Sequence, residues 1–290
     1  MNTMLTLVRR EFWEHRALWI APLAVAALVL LAAVVGHASI GYDESATDPL
    51  ARHGMFGLAI LALAAPQWVT LSIILWFYSV DCLYAERKDR SILFWKSMPV
   101  SDRKTVLSKF LVAGAIVPFG IFALTLVTSL LFCAIWGLRS LFDPSAVNLW
   151  DTATWWHVQV LTFVGTLVAA VWYAPLTAYL LMLSAWARRN VSVWALVPPL
   201  VAVIVERTAF HTHHLLTILG YRLGGIWQEF RMGEIFIAGD APNPDAATAQ
   251  ALAHIHPSVA FANLDLWLGV IVAAGFVLAA VRIRRYRDDT

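Results

Sequence analysis

Apolar residues along this chain gather into six long runs separated by short polar stretches. About twenty apolar residues in a helix are needed to cross the hydrocarbon of a bilayer. The runs predict membrane helices at about 17–36, 55–83, 107–136, 157–186, 191–205 and 266–283. Several exceed the minimum, which predicts tilt or extension into water rather than extra crossings. Ahead of the first run, Leu5, Val8 and Phe12 share one helical face while Arg9, Arg10 and Glu14 turn away. That pattern predicts an interfacial amphipathic helix over 1–16, with Trp13 and Trp19 at the headgroup level. The fold class is therefore an all-α integral membrane protein with six transmembrane helices, the first of them an uncleaved anchor.

Composition agrees: the 290 residues are 60% hydrophobic and only 14% charged, with a mean hydropathy of +0.69. A soluble domain carries about a quarter charged residues, so a soluble enzyme is excluded. The net charge of +2 says little, but its distribution sets an orientation. Sixteen of the 21 Lys and Arg fall at the N-terminus, in the second loop, at Arg188–Arg189 and in the C-terminal tail that includes Arg284. The remaining five are Arg52, Arg139, Arg207, Arg222 and Arg231. Basic residues stay on the side where a chain is made, so both termini and the second loop are expected in the cytoplasm. The opposite loops are acidic by comparison, with Asp43, Glu44, Asp48, Asp143 and Asp151. Cys82 and Cys133 fall near opposite faces and are expected to stay unpaired.

The second loop is the densest feature. Arg87, Lys88, Arg90, Lys96, Arg103, Lys104 and Lys109 surround an apolar knot, Ile92-Leu93-Phe94-Trp95. Such a loop reads as a docking surface for a soluble partner, with the aromatics as anchors and the cations as steering and rim contacts. Elsewhere chemistry is sparse. There is no phosphate-cradling GxxxxGK[ST], HExxH, paired CxxC or GxSxG. His211, His213, His214, His254 and His256 offer imidazoles in one long segment, as weak candidates for zinc or copper ligands. No carboxylate sits at the middle of a span, where a proton- or ion-coupled carrier needs one. Gln67, Thr70, Ser72, Thr125, Thr128 and Ser129 are expected to bond mostly to their own helix backbones. Pro66, Pro118, Pro175 and Pro198–Pro199 lie inside spans, as hinges or as ordinary membrane prolines. Ala170, Ala174 and Ala178 form a stripe that permits close helix packing, against this bundle or a second copy. The last outer segment contains an apolar stretch, 215–237, expected to dip into the interface or pack over the bundle. A turn over 240–244 and a short helix follow it.

One resemblance emerges from the loop. Glu86-Arg87, then Ser91, then Lys96-Ser97-Met98-Pro99-Val100-Ser101, then Lys109 resembles the pattern of ABC-2 type permease subunits. In that family an ER pair follows the second span, and an S-x-P-V-S segment precedes a Lys that opens the third. The resemblance implies one permease domain over 1–290, with an interfacial helix at 1–16, a coupling loop at 84–106 and an extracytoplasmic segment at 206–265. It implies Glu86, Arg87, Asp89, Arg90, Ser91, Phe94, Trp95, Lys96, Ser97 and Pro99 as the residues that couple to a separate ATPase subunit. That partner, not this chain, would bind ATP and be the enzyme; no cofactor of its own and no catalytic residue are implied. A second permease copy or a related permease, and the bilayer of a bacterial inner membrane, complete the expected partners; nucleic acid is not among them. The uncharged spans favour a lipophilic or amphipathic cargo moved outward. The histidine cluster belongs to no such pattern, so a metal-handling protein or metalloenzyme stays an alternative, as does a membrane scaffold or sensor.

Overall fold

A computed structural model describes residues 3–35, 49–89, 100–142, 150–230 and 244–286. The described residues are helical throughout, with no strand. They include α1 (Thr3–Glu14), α2 (Ala17–Val35), α3 (Pro49–Asp81) and the short α4 (Tyr84–Lys88). Next come α5 (Asp102–Leu111), a π turn (Val112–Ile116) and α6 (Val117–Phe142), which run as one rod. Then follow α7 (Thr152–Trp172), α8 (Ala174–Trp186), α9 (Val191–Val205), α10 (His214–Glu229), α11 (Pro244–His254) and α12 (Leu264–Tyr286). Six stretches are long and apolar enough to cross a membrane: Ala17–Val35, Arg52–Lys88, Asp102–Phe142, Thr152–Trp172, Val191–Phe210 and Leu264–Tyr286.

The fourth run departs from the single helix expected over 157–186. It breaks at Tyr173, where φ −88° and ψ 0° end α7, and α8 restarts with Pro175 in its first turn. Pro175 has no N–H to give Val171, so the ladder cannot continue through this point. A second proline acts nearby in the third run: the π turn immediately precedes Pro118, whose missing N–H would have bonded Gly114. Pro66 and Pro198–Pro199, by contrast, sit inside uninterrupted helices, as does Pro22 of α2. The break divides the small-residue stripe: Ala170 and Ala174 are half-buried on either side of it, and Ala178 is completely buried on the helix that packs most extensively along α12.

Helix lengths reveal two tiers. At about 1.5 Å per residue, the 19 residues of α2 reach roughly 28 Å, one hydrocarbon thickness. The foot of α2, Leu18, shares a buried cluster with Cys82, Leu83 and Val106, so α3 ends and α5 begins near it. The 41 residues of Asp102–Phe142 then reach roughly 60 Å. The excess projects beyond the far end of α2, as extension rather than extra crossing. There Phe56, Ile60, Trp155 and Val158 form an outer core, and α11 packs along α3. Gly57 makes that approach possible, because a Cβ there would stand 2.6 Å from Leu252 Cδ1.

Mid-bundle polar groups bond as expected. Thr70, Ser72, Thr125, Thr128 and Ser129 each donate to a backbone carbonyl three or four residues earlier, and Gln67 donates to Leu63 at 3.5 Å. Ser129 alone also works between helices, accepting from Trp155 Nε1 at 3.2 Å and Gln159 Nε2 at 3.3 Å. Cys82 and Cys133 are both free thiols.

Candidate functional site

The two roots of the basic loop are α4 and the start of α5, and the structure joins them through buried charge. Glu86, on α4, is 5% exposed and lies 3.2 Å from Lys109 Nζ, on α5. Lys109 is wholly buried and also donates to both carboxylate oxygens of Glu11, at 2.8 and 2.9 Å. Glu11 comes from α1, which brings a third segment into the site. Its second oxygen also accepts from the Tyr78 hydroxyl at 2.9 Å. Arg284, near the C-terminal end of α12, donates to Glu86 Oε2 at 2.6 Å and to Asp102 at 3.1 Å. Arg10 donates to Glu86 as well and reaches Glu14 at 2.8 Å. Four carboxylates (Glu11, Glu14, Glu86, Asp102) thus meet three cations (Arg10, Lys109, Arg284) where four separate segments end.

Local sequence explains how each group arrives. Ser101 N-caps α5, its hydroxyl accepting from Lys104 N at 3.4 Å, and this sets the register that carries Lys109 inward two turns later. Leu7 and Glu11 sit one turn apart on the buried face of α1. Arg87 turns the other way, donating to the last carbonyls of α8 at Ser184 and Ala187, 2.6 and 2.7 Å away. A cation there complements the C-terminal end of a helix. Ser184 returns the contact by accepting from Leu83 N and Tyr84 N at 3.1 and 3.0 Å.

The energetics favour specification over bulk stability. Buried ion pairs lose hydration and gain little net stability over apolar packing, yet separating one partner costs several kcal/mol. The network therefore penalises any arrangement in which α1, α4, α5 and α12 move independently. Just outside it, burial holds the His15 imidazole below its ordinary pKa, against the pull of Glu11. Among the described residues, the group spaced to hold a metal ion is Glu11, Glu14 and His15, but Lys109 already occupies the Glu11 carboxylate.

Several expectations change here. Arg10 is not turned away into water; it points into the bundle. Arg284 is not a solvated tail cation but is 4% exposed. Arg87 is half-buried and bonds backbone carbonyls at the end of α8. Of the expected coupling residues, the structure describes Glu86, Arg87 and Asp89, the last exposed at the end of α4. Arg90, Ser91, Phe94, Trp95, Lys96, Ser97 and Pro99 lie outside the described residues. Glu11 and Arg284 were missed altogether. The available signal for Glu11 was an acid placed one turn after Leu7; nothing local marked Arg284.

The histidines do not converge on a common point among the described residues. His211, with φ 52°, and His213 form the turn between the end of the fifth span and α10. Glu206 caps α10 there, accepting from His214 N and Leu215 N, each at 2.8 Å, and from Thr212 Oγ1 at 2.9 Å. His254 ends α11, and His256 precedes a short 3₁₀ turn (Pro257–Ala262). Of the apolar stretch expected over 215–237, α10 buries Gly225 and Ile226 against the bundle and leaves Leu216, Ile218, Leu223 and Trp227 exposed, while 231–237 lie outside the described residues. Arg222 donates to Asp265 O at 2.9 Å and lies over the Trp172 ring at 4.9 Å, bridging the break at Tyr173 to the start of α12. Asn263 binds Tyr221 and Glu229 at 2.8 and 3.0 Å.

These features define a class: an all-helical, multi-pass membrane protein with six candidate spans, whose loop roots are fastened at one end by a buried ion network. No protein family, curated protein or solved structure matches the chain.

Proposed function

We propose that this chain is the transmembrane permease subunit of an ATP-driven exporter of the ABC-2 type, working with a separate ATPase subunit and a second permease. The observation that carries the reading is the fastening of Glu86 to Lys109, through a 3.2 Å contact, beneath the loop they flank. These two residues also bound the motif that resembles the family. A push on the loop at 90–99 would pass into α3 and α5 together, and through Arg284 into α12, because buried partners do not part cheaply. Phe94 and Trp95 would anchor the loop in the ATPase, which supplies ATP binding and hydrolysis; this chain needs no cofactor and is no enzyme. The α1 helix, the loop roots, the connection after Trp186 and the end of α12 all lie at one end, tied by Glu11, Arg87 and Arg284. On the distribution of Lys and Arg, that end faces the cytoplasm of a bacterial inner membrane, with both termini inside. The cargo is lipophilic or amphipathic and moves outward.

Co-expression with the ATPase encoded nearest this chain tests the reading. Phe94→Glu with Trp95→Ala is expected to weaken association about tenfold or more while the apparent melting point holds. Unchanged association and cargo movement, or labelling of a Lys96→Cys chain from outside the cell, would overturn it.

A further inference from the structure

The helix α1 has a second face, and its chemistry differs from the one that carries Glu11. Leu5 and Trp13 are 68% and 70% exposed. Arg9 lies between them, its guanidinium 5.4 Å from the centre of the Trp13 ring. Residues 5, 9 and 13 are spaced by four, so they line one side of the helix. Arg16 is exposed in the short turn that leads into α2, and Trp19, 45% exposed, donates back to the Phe12 carbonyl at 3.3 Å. Opposite them, Leu7 and Glu11 are buried against the bundle.

We infer that this outward face, Leu5, Arg9, Trp13 and Arg16, binds the anionic headgroups of phospholipids at the foot of the first span. Position argues for lipid rather than a soluble partner: α1 ends at Glu14 and α2, a candidate span, begins at Ala17. The face is therefore held at the membrane surface. Composition argues for negative headgroups: a large aromatic and a Leu enter the acyl boundary while two guanidinium groups remain at phosphate level. Among the described residues of α1, the acid at its edge is Glu14, which is drawn to Arg10 at 2.8 Å. The face departs from the simple amphipathic expectation, because Val8 and Phe12 pack against the protein core instead of lipid.

The same rigid helix carries Arg10 and Glu11 into the ion network, so headgroup binding and the loop roots share one body. On the exporter reading, from which this last link follows, anionic lipid would hold the coupling end in register.

The test is amide hydrogen exchange of the full-length chain in nanodiscs of phosphatidylcholine, with and without phosphatidylglycerol. Exchange over residues 5–13 is expected to slow on the order of tenfold when phosphatidylglycerol is present. The double variant Arg9→Gln/Arg16→Gln should lose that difference. The double variant Arg188→Gln/Arg189→Gln, which removes equal charge at the same end, should keep it. Equal exchange in the two lipids, or equal loss in both variants, would overturn the assignment. No ATPase is needed for the measurement, so its failure would leave the exporter reading standing.

Discussion

Both ends of the bundle are packed with apolar side chains, but they differ in how much buried charge they carry. At the basal end, α1, α4, α5 and α12 meet through Glu11, Glu86, Lys109, Arg10 and Arg284. At the outer end, α3 and α7 meet through Phe56, Ile60, Trp155 and Val158, and α11 closes on them with Leu252 against Gly57. Apolar packing is graded: a contact that loosens by a fraction of an ångström loses a fraction of its energy. A buried ion pair loses attraction more gradually with distance, but removing one partner strands a buried charge at a cost of several kcal/mol. Close-packed side chains and buried pairs both transmit a displacement; the basal end differs in what a broken contact costs.

The largest test of the contrast is Lys109→Met, which removes the cation between Glu11 and Glu86 and keeps most of the volume. It is expected to destabilise the detergent-solubilised protein by about 3–5 kcal/mol, read from thermal unfolding followed by tryptophan fluorescence. The double variant Glu11→Gln/Lys109→Met should recover a substantial part of that loss, which a double-mutant cycle would measure. Additivity of the two single changes would show that the network does not act as a unit.

Arg87→Gln comes next. Its guanidinium bonds the backbone carbonyls of Ser184 and Ala187 at the end of α8, and loss of charged hydrogen bonds of this kind is expected to cost about 1.5–3 kcal/mol. Faster hydrogen exchange at the end of α8, with that of α11 unchanged, would place the damage at the basal end alone.

At the outer end, Gly57→Val should push Leu252 aside and loosen α11 at a cost of about 1–3 kcal/mol. Because the clashing atom is the tip of a flexible side chain, this figure should fall below that for Lys109→Met. The reverse order, in the same unfolding assay, would undo the contrast between the ends.

The smallest effect concerns pH. Asp151 caps α7 and contacts His53 Nδ1 at 2.9 Å. Slight burial acts against the ionised carboxylate, but hydrogen bonds from Thr154 and Ala153 and the nearby His53 hold its pKa below the ordinary value. A depressed carboxyl pKa adds stability that is complete above about pH 4 and is lost as pH falls through the folded-state value. Acid titration of unfolding should therefore show a small loss below about pH 4 that Asp151→Asn removes. An identical titration in that variant would assign the acid sensitivity elsewhere.

The legible and illegible parts of this molecule divide along a physical line. Composition and periodicity alone determined the six spans, since a hydrocarbon layer admits helices only where about twenty apolar residues run together. The same locality made the helix-bound Thr and Ser side chains readable, because their acceptors lie three or four residues away. The grouping of Lys and Arg anticipated which connections share an end, and the structure brings those connections together. What the tertiary structure decided is pairing over long separations: Glu11 with Lys109 across 98 residues and Glu86 with Arg284 across 198. A charge at a helix end carries no local mark of whether water or a buried partner will receive it, so Arg10 and Arg284 read as solvated until the helices were assembled. The break at Tyr173 was signalled by Pro175, but only packing decided that this proline, and not Pro66, would part its helix. Gly57 likewise carries no local mark of its neighbour; only the assembled helices bring Leu252 of α11 against it.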